Sequence, residues 1–285
     1  MTESHAPARR RQHRPRLLTV SNLGALLVAL FTAAPLYWLV VSSFRGPLEI
    51  GAAPTPLPRD PTTANYTDAF AEYEFGTYLA NSAIVSVAST ALVLCLGTLA
   101  AYALARLPLR GTTPVMTALL MISLFPTIAL AAPLYLLMRD IGWLNSHQGL
   151  ILAYTAFNLP FAVWILRNYF LSIPREMEEV AWMDGASPIR TVVSVILPQA
   201  RPGLFTAGVF TFVACWTEFL LALTLNTSDQ YRTIAVGIAL FGSQYTVPYG
   251  TVFAAATAAM LPIALLVLVF RRAVVSGLTS GAVKG

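Results

Sequence analysis

Six predominantly apolar runs divide this chain, and their length decides what it can fold into. They are roughly Leu17–Val41, Ser82–Ala105, Pro114–Met138, Gly149–Leu166, Gly203–Leu225 and Gly250–Phe270. A helix rises about 1.5 Å per residue, so about 20 such residues cross the roughly 30 Å of hydrocarbon in a bilayer. Residues are 56% hydrophobic and only 11% charged, against roughly 25% charged in a soluble domain. The expected fold is an all-α polytopic membrane protein. Residues 1–16 form a basic tail, 17–276 a six-span domain and 277–285 a second tail. The tail with Arg9, Arg10, Arg11, Arg14 and Arg16 begins as a signal peptide would. The run after it is too long for a signal core and long enough to span. Pro126, Pro133, Pro160 and Pro262 fall inside the runs, where proline is expected to kink a helix.

The arginines orient the spans. Besides the N-terminal tail, Arg106 and Arg110 follow the second run, Arg167, Arg175, Arg190 and Arg201 follow the fourth, and Arg271, Arg272 and Lys284 follow the sixth. Only Arg45, Arg59, Arg139 and Arg232 are left for the opposite side. The positive-inside rule therefore puts both termini and the 174–203 loop in the cytoplasm. The basic excess of +5 belongs to this asymmetry and to anionic lipid, and implies no nucleic acid.

Residues 174–203 are the longest polar interruption that still reads as folded. Glu176, Glu178 and Glu179 suit the positive end of a helix dipole. Met177, Val180, Ala181 and Asp184 share one face. Gly185 suits a left-handed helix stop, and Ser187-Pro188 reads as an N-cap with a first-turn proline. The second helix is expected to end before Pro198.

Glu179-Val180-Ala181, three residues, Gly185, nine residues, then Val195-Ile196-Leu197-Pro198 resembles the EAA loop of ABC-importer permeases. Val180 and Val195 depart from that pattern, apolar for apolar, and Asp184-Gly185-Ala186 agrees with it. The segment from Asn65-Tyr66 through Asn81-Ser82, and the ending Gly277 to Gly285, narrow the resemblance to carbohydrate permeases of the maltose-system type. The resemblance implies a type I importer permease in a bacterial cytoplasmic membrane. It also implies that the loop is a coupling helix docked in a cleft of an ATPase subunit. Its docking residues would be Met177, Glu179, Val180, Ala181, Asp184, Gly185, Ala186, Leu197 and Pro198. The implied partners are a homologous second permease, two ABC ATPase subunits, an extracytoplasmic sugar-binding protein and membrane lipid. The stretch Thr233–Tyr249, whose apolar part is too short to cross, reads as re-entrant or interfacial. By resemblance it reaches toward the binding protein.

The chain offers no catalytic or metal site of its own. Its one lysine, Lys284, precedes Gly285, whereas a P-loop needs Gly-Lys-Ser/Thr. ATP and Mg are thus expected on partner subunits, with no cofactor on this chain. Cys95 and Cys215 lie within apolar runs, and the histidines lack zinc-ligand spacing.

One ionisable side chain falls inside the runs. Glu218, beside Trp216, either faces a transport path or reaches outward to headgroups. Trp216 offers a face for a sugar ring, and Tyr154 and Asn158 are weaker pathway candidates. No run carries a basic cluster, which favours a neutral solute over a phosphate ester, and the resemblance implies a di- or oligosaccharide. Glycerol 3-phosphate or another small solute is the alternative cargo. An ion-coupled secondary transporter is the rival class, and it would need more intramembrane charge.

Overall fold

A computed structural model describes residues 20–242 and 247–282. The predicted tail 1–16 lies outside them. The described residues are mostly helical, and among them four helices are long and apolar enough to cross a membrane without interruption. The first, α1 (Val20–Ser43), leads into a folded connection with α2 (Pro47–Ile50) and α3 (Ala64–Glu72). The second is α4 (Phe75–Arg106), which starts seven residues ahead of the predicted run. Next come α5 (Thr112–Ser123) and α6 (Thr127–Asp140), then the long α7 (His147–Ser172). A short segment of α8 (Glu176–Met183), α9 (Pro188–Thr191) and α10 (Leu197–Gln199) follows. The remainder is α11 (Arg201–Thr217), α12 (Leu220–Leu225), α13 (Ile234–Ala239) and α14 (Tyr249–Ala282).

Two of the six expected spans are not single helices. The third is broken at Pro126, where α5 and α6 meet at 88°. The fifth is interrupted at Glu218-Phe219, between α11 and α12. Among the prolines expected to kink spans, only Pro126 falls at a break. Helices α6, α7 and α14 continue through Pro133, Pro160 and Pro262. The predicted C-terminal tail is also helical as far as Ala282, and its last three residues lie outside the description.

Helix α4 is the centre of the bundle. Ser82, Ser86, Ser89, Val93, Gly97, Ala101 and Ala105 are buried along it at near-helical repeat. Small residues on such a stripe let helix backbones approach closely in lipid, where packing rather than hydrophobicity drives association. A Cβ at Gly97 would touch Leu159, Ala162 and Leu166 of α7. One apolar cluster joins α4, α7 and α11 near their 106, 173 and 200 ends, built on Leu166, Phe170 and Ile196. A second lies mid-bundle around Tyr154, Leu150 and Cys215. A third, with Phe75, Trp216 and Ile234, closes the opposite end.

The connection after α1 is more than a solvated loop. Asn65 is buried, and its Nδ2 donates to the carbonyls of Ser43 and Arg45, both at 2.8 Å. The Arg45 guanidinium lies 4.5 Å over the Trp38 ring. The five prolines of this stretch thus cross a surface already folded onto α1.

Candidate functional site

The 174–203 segment is built largely as its residues dictate. Helix α8 carries Glu176, Glu178 and Glu179 in its first turn. It stops where Gly185 takes φ +80°. The Ala186 amide donates to the Ala181 carbonyl at 2.9 Å, and the Gly185 amide to Trp182 at 3.0 Å. That pair of bonds is the Schellman arrangement, and it satisfies carbonyls that a helix end leaves free. Ser187 then caps the next helix, its Oγ accepting from the Arg190 amide. The chain does not stop before Pro198, as was expected. It widens into a π-turn over Val192–Ile196 and runs on to Gln199. The Leu197 amide reaches the Val192 carbonyl, five residues back. The wider turn moves the carbonyl that a proline ring would otherwise strike, so the helix survives Pro198. A 75° bend then separates this piece from α11.

The predicted face of α8 exists. Met177, Val180, Ala181 and Asp184, with Glu176 and Val195, line a cavity of roughly 430 Å3. Val180 is 51% exposed and Glu179 is exposed as well. Ala181 is buried within this chain, so its small size serves α8's own packing. Met177 and Leu197 are partly buried against the nearby apolar cluster, and Ala186 and Pro198 are half-buried beside them.

Sequence reasoning missed how α8 is anchored. Glu178 faces inward and its Oε1 lies 2.7 Å from Arg106 Nε, with both side chains 5% exposed. Tyr102 Oη donates to the other Glu178 oxygen at 3.1 Å. Arg106 Nη2 donates to the Ile173 carbonyl at 2.7 Å. The available signal was helical spacing. Glu178 is three residues before Ala181, the smallest residue on that side of α8, so it shares the buried side.

Three of the four pathway candidates come together. Tyr154 Oη donates to Glu218 Oε2 at 2.8 Å. Asn158 Nδ2 donates to the Tyr154 carbonyl at 2.8 Å and lies 3.6 Å from Cys215 Sγ. Glu218 also accepts from the Leu221 and Ala222 amides at 2.8 and 3.1 Å. It therefore caps α12 at the break in the fifth span. Its carboxylate points at these donors rather than outward to a headgroup layer. Trp216 faces elsewhere: it is 4% exposed, stacks on Phe212 and donates its indole N–H to the Ala259 carbonyl. No ring face of Trp216 is open to a sugar in this arrangement.

At the opposite end, the chain between α12 and α13 is held by side chains from α4 and the start of α7. Asn81 Nδ2 donates to the Gln230 and Arg232 carbonyls, both at 2.9 Å. His147 Nε2 sits 2.8 Å from Asn81 Oδ1. Asn145 adopts φ +50°, which asparagine tolerates, and its Oδ1 accepts from the Ser228 amide at 2.8 Å. The apolar piece after Thr233 forms α13, whose Ile234, Val236 and Gly237 are buried against the bundle. It is packed into protein rather than laid along an interface. Within the expected reach of Thr233–Tyr249, residues 243–246 lie outside the description.

The sequence matches the family of binding-protein-dependent transport system inner membrane components over residues 72–280. It is 40% identical over 252 residues to a sulfoquinovosyl glycerol transport system permease protein of Agrobacterium fabrum, covering 88% of each chain. It is 37% identical over 268 residues to a trehalose/maltose transport system permease protein of Thermococcus litoralis, covering 92% of this chain and 95% of that one. It is 39% identical to a trehalose transport system permease protein of Mycobacterium tuberculosis, covering 91% and 95%. Its fold matches a chain of a bacterial ABC transporter that imports the acidic polysaccharide alginate, with TM-score 0.76 and 22% identity over 92% of this chain and 99% of that one.

Proposed function

Because this chain belongs to the family of binding-protein-dependent transport system inner membrane components, we propose that it is the permease subunit of an ABC importer whose cargo is a di- or oligosaccharide. It pairs with a homologous permease and two ATPase subunits, and receives sugar from an extracytoplasmic binding protein. ATP and Mg bind on the ATPase subunits. The termini and the α8 segment face the cytoplasm, and the stretch between α12 and α14 faces outside. Met177, Glu179, Val180, Asp184 and Gly185 present the surface that seats in the ATPase cleft, with Ala181, Ala186, Leu197 and Pro198 shaping it from behind.

The observation that carries the coupling role is the geometry of α8. It is a short helix closed by a left-handed glycine, anchored by one buried face and open on the other. The carbohydrate cargo is supported by relatives at 37–40% identity, which are permeases for glycosides and disaccharides. Mechanistically, closure of the ATPase dimer displaces α8, and the spans rock between inward and outward states. This chain performs no chemistry.

The test is purification of the tagged subunit in mild detergent, with identification of the chains that accompany it. The reconstituted complex is then offered neutral and acidic sugars with the binding protein. Sugar-stimulated ATP hydrolysis with sugar entry into vesicles is the expected result. Uptake that survives ATP depletion but collapses with a proton uncoupler would instead make the chain a secondary transporter. Stimulation by glycerol 3-phosphate alone would refute the cargo.

A further inference from the structure

We propose that Arg106 is a positioning residue for coupling, and that α4 carries displacement of α8 through the bundle to the segment between α12 and α13. The inference rests on the importer reading above.

Helix α8 has eight residues, too few to be stable as an isolated helix. Its position must come from contacts with the spans, and the polar ones run to α4. The Arg106–Glu178 pair is buried, Tyr102 holds the second carboxylate oxygen, and Arg106 also grips the Ile173 carbonyl at the end of α7. A buried ion pair is seldom more stabilising than apolar side chains of the same volume. Stability alone therefore gives no reason for charges here. What a paired charge does supply is a link that is costly to pull apart, since separation leaves each ion buried and alone. Helix α8 and the end of α4 are thereby made to move together.

The far end of α4 is locked in the same way. Tyr78 Oη lies 3.3 Å from Asp229 Oδ1, and Asn81 holds the Gln230 and Arg232 carbonyls. Ser82 Oγ accepts from the Ile234 amide at 2.7 Å. A Cβ at Gly237 would fall 2.1 Å from Tyr78 Cδ2, so the α13 backbone sits directly on α4. Between the two ends α4 is an unbroken helix of 32 residues, about 48 Å long. Its buried residues between those ends are mostly Ser, Gly and Ala, with Val85, Val93 and Thr98 among them, so α4 packs closely on its neighbours along its whole length. One rigid element therefore has a polar lock on the coupling helix at one end and a polar lock on the outer connection at the other.

The test uses the full reconstituted complex with Cys95 and Cys215 replaced by alanine and Gln230→Cys as the reporter. Gln230 is exposed, and only its backbone joins the lock. The rate of labelling at the reporter is compared with and without a non-hydrolysable ATP analogue. With Arg106 and Glu178 intact, ATP is expected to change the rate by about fivefold or more, the lower range of measured coupling effects. In the Arg106→Met/Glu178→Met double variant, with ATPase subunits still bound, the change is expected to vanish. An equal change in both proteins overturns the role of the pair while leaving the importer reading intact. No change even with the pair intact overturns transmission along α4, while the importer reading is decided separately by sugar-stimulated ATP hydrolysis and uptake in the same complex. If the double variant fails to assemble, Tyr102→Phe removes only the hydroxyl on Glu178 and should reduce the response. An undiminished response in that variant overturns the proposal.

Discussion

Replacing Gly185 isolates the conformational requirement of the proposed coupling segment from its surface chemistry. The residue sits at φ +80°, and a Cβ built there meets nothing within 4 Å. Any side chain therefore costs through the backbone and not through a clash within this chain. A left-handed conformation costs an L-residue about 1–2 kcal/mol, with asparagine the usual exception. That is roughly a 5- to 30-fold loss in the population of the native turn. Without it the Ala186–Ala181 and Gly185–Trp182 bonds open, and the last turn of α8 frays. That turn carries Ala181 to Asp184, so affinity for the ATPase subunits should fall by about the same 5- to 30-fold. The expected order of affinity is Gly, then Asn, then Ala, then Val. The subunit itself should remain in the membrane, since Gly185 is exposed and a side chain there meets nothing within 4 Å. Titration of purified ATPase onto the reconstituted subunit measures the series. An order of Gly, Ala, Asn, Val would mean that side-chain bulk against the partner decides. Wild-type affinity for Gly185→Val, with normal uptake, would remove α8 as the coupling element.

Three other substitutions probe different parts of the molecule. Glu218→Gln keeps the shape but weakens three hydrogen bonds to a carboxylate, so thermal stability in detergent should fall by about 1–3 kcal/mol. Tyr154→Phe removes only one of those donors and should cost less; unchanged stability with altered sugar preference would reassign Glu218 to cargo binding. At Gly203 a Cβ would fall 2.4 Å from Tyr169 Cγ, so Gly203→Ala should destabilise by about 1–3 kcal/mol through overpacking. Adding Tyr169→Ala should recover part of that loss in the same melting assay, and a further loss would show that the contact is not the cause. For orientation, Gln230→Cys should label with an impermeant reagent in intact cells and Ser187→Cys should not, whereas the reverse labelling would invert the topology.

The parts of the fold legible in the sequence were those set by local physics. The presence of long apolar helices follows from hydrocarbon thickness, though α4, α7 and α14 extend past the predicted runs, and the Gly185 stop and Ser187 cap follow from backbone preference. The breaks were not legible. Pro126 and Pro160 look alike in sequence, yet α7 continues through one and α5 ends before the other. The difference lies in packing: α7 is buried along much of its length, whereas Leu124 and Phe125 are exposed. Pro198 misled for a related reason, because a π-turn can absorb a proline that an α-turn cannot. Glu218 drew notice as a charge at depth, but its role as a cap for α12 needed the chain break beside it. Trp216 drew notice as an aromatic neighbour, and a helix rotation of 200° over two residues sends it to another cluster. The Glu178–Arg106 pair joins residues distant in sequence, and neither helix pattern names the other.

The 88° break between α5 and α6 bears on how the protein is made. No side chain caps the first turn of α6, so amide groups at the elbow must find partners elsewhere. Lipid offers none, and non-helical backbone at membrane depth survives only inside protein or beside water. Leu124 and Ile128 flank the elbow, apolar and 84% and 70% exposed, which is poor lining for a water-filled space. In the importer proposed above, the second permease is the protein surface expected to cover the elbow. On that reading, the newly inserted polypeptide carries unpartnered amide groups at the elbow until its proposed partner covers them. Its lifetime in the cell should then depend on synthesis in step with that companion, and a copy made in excess should be a substrate for membrane proteolysis.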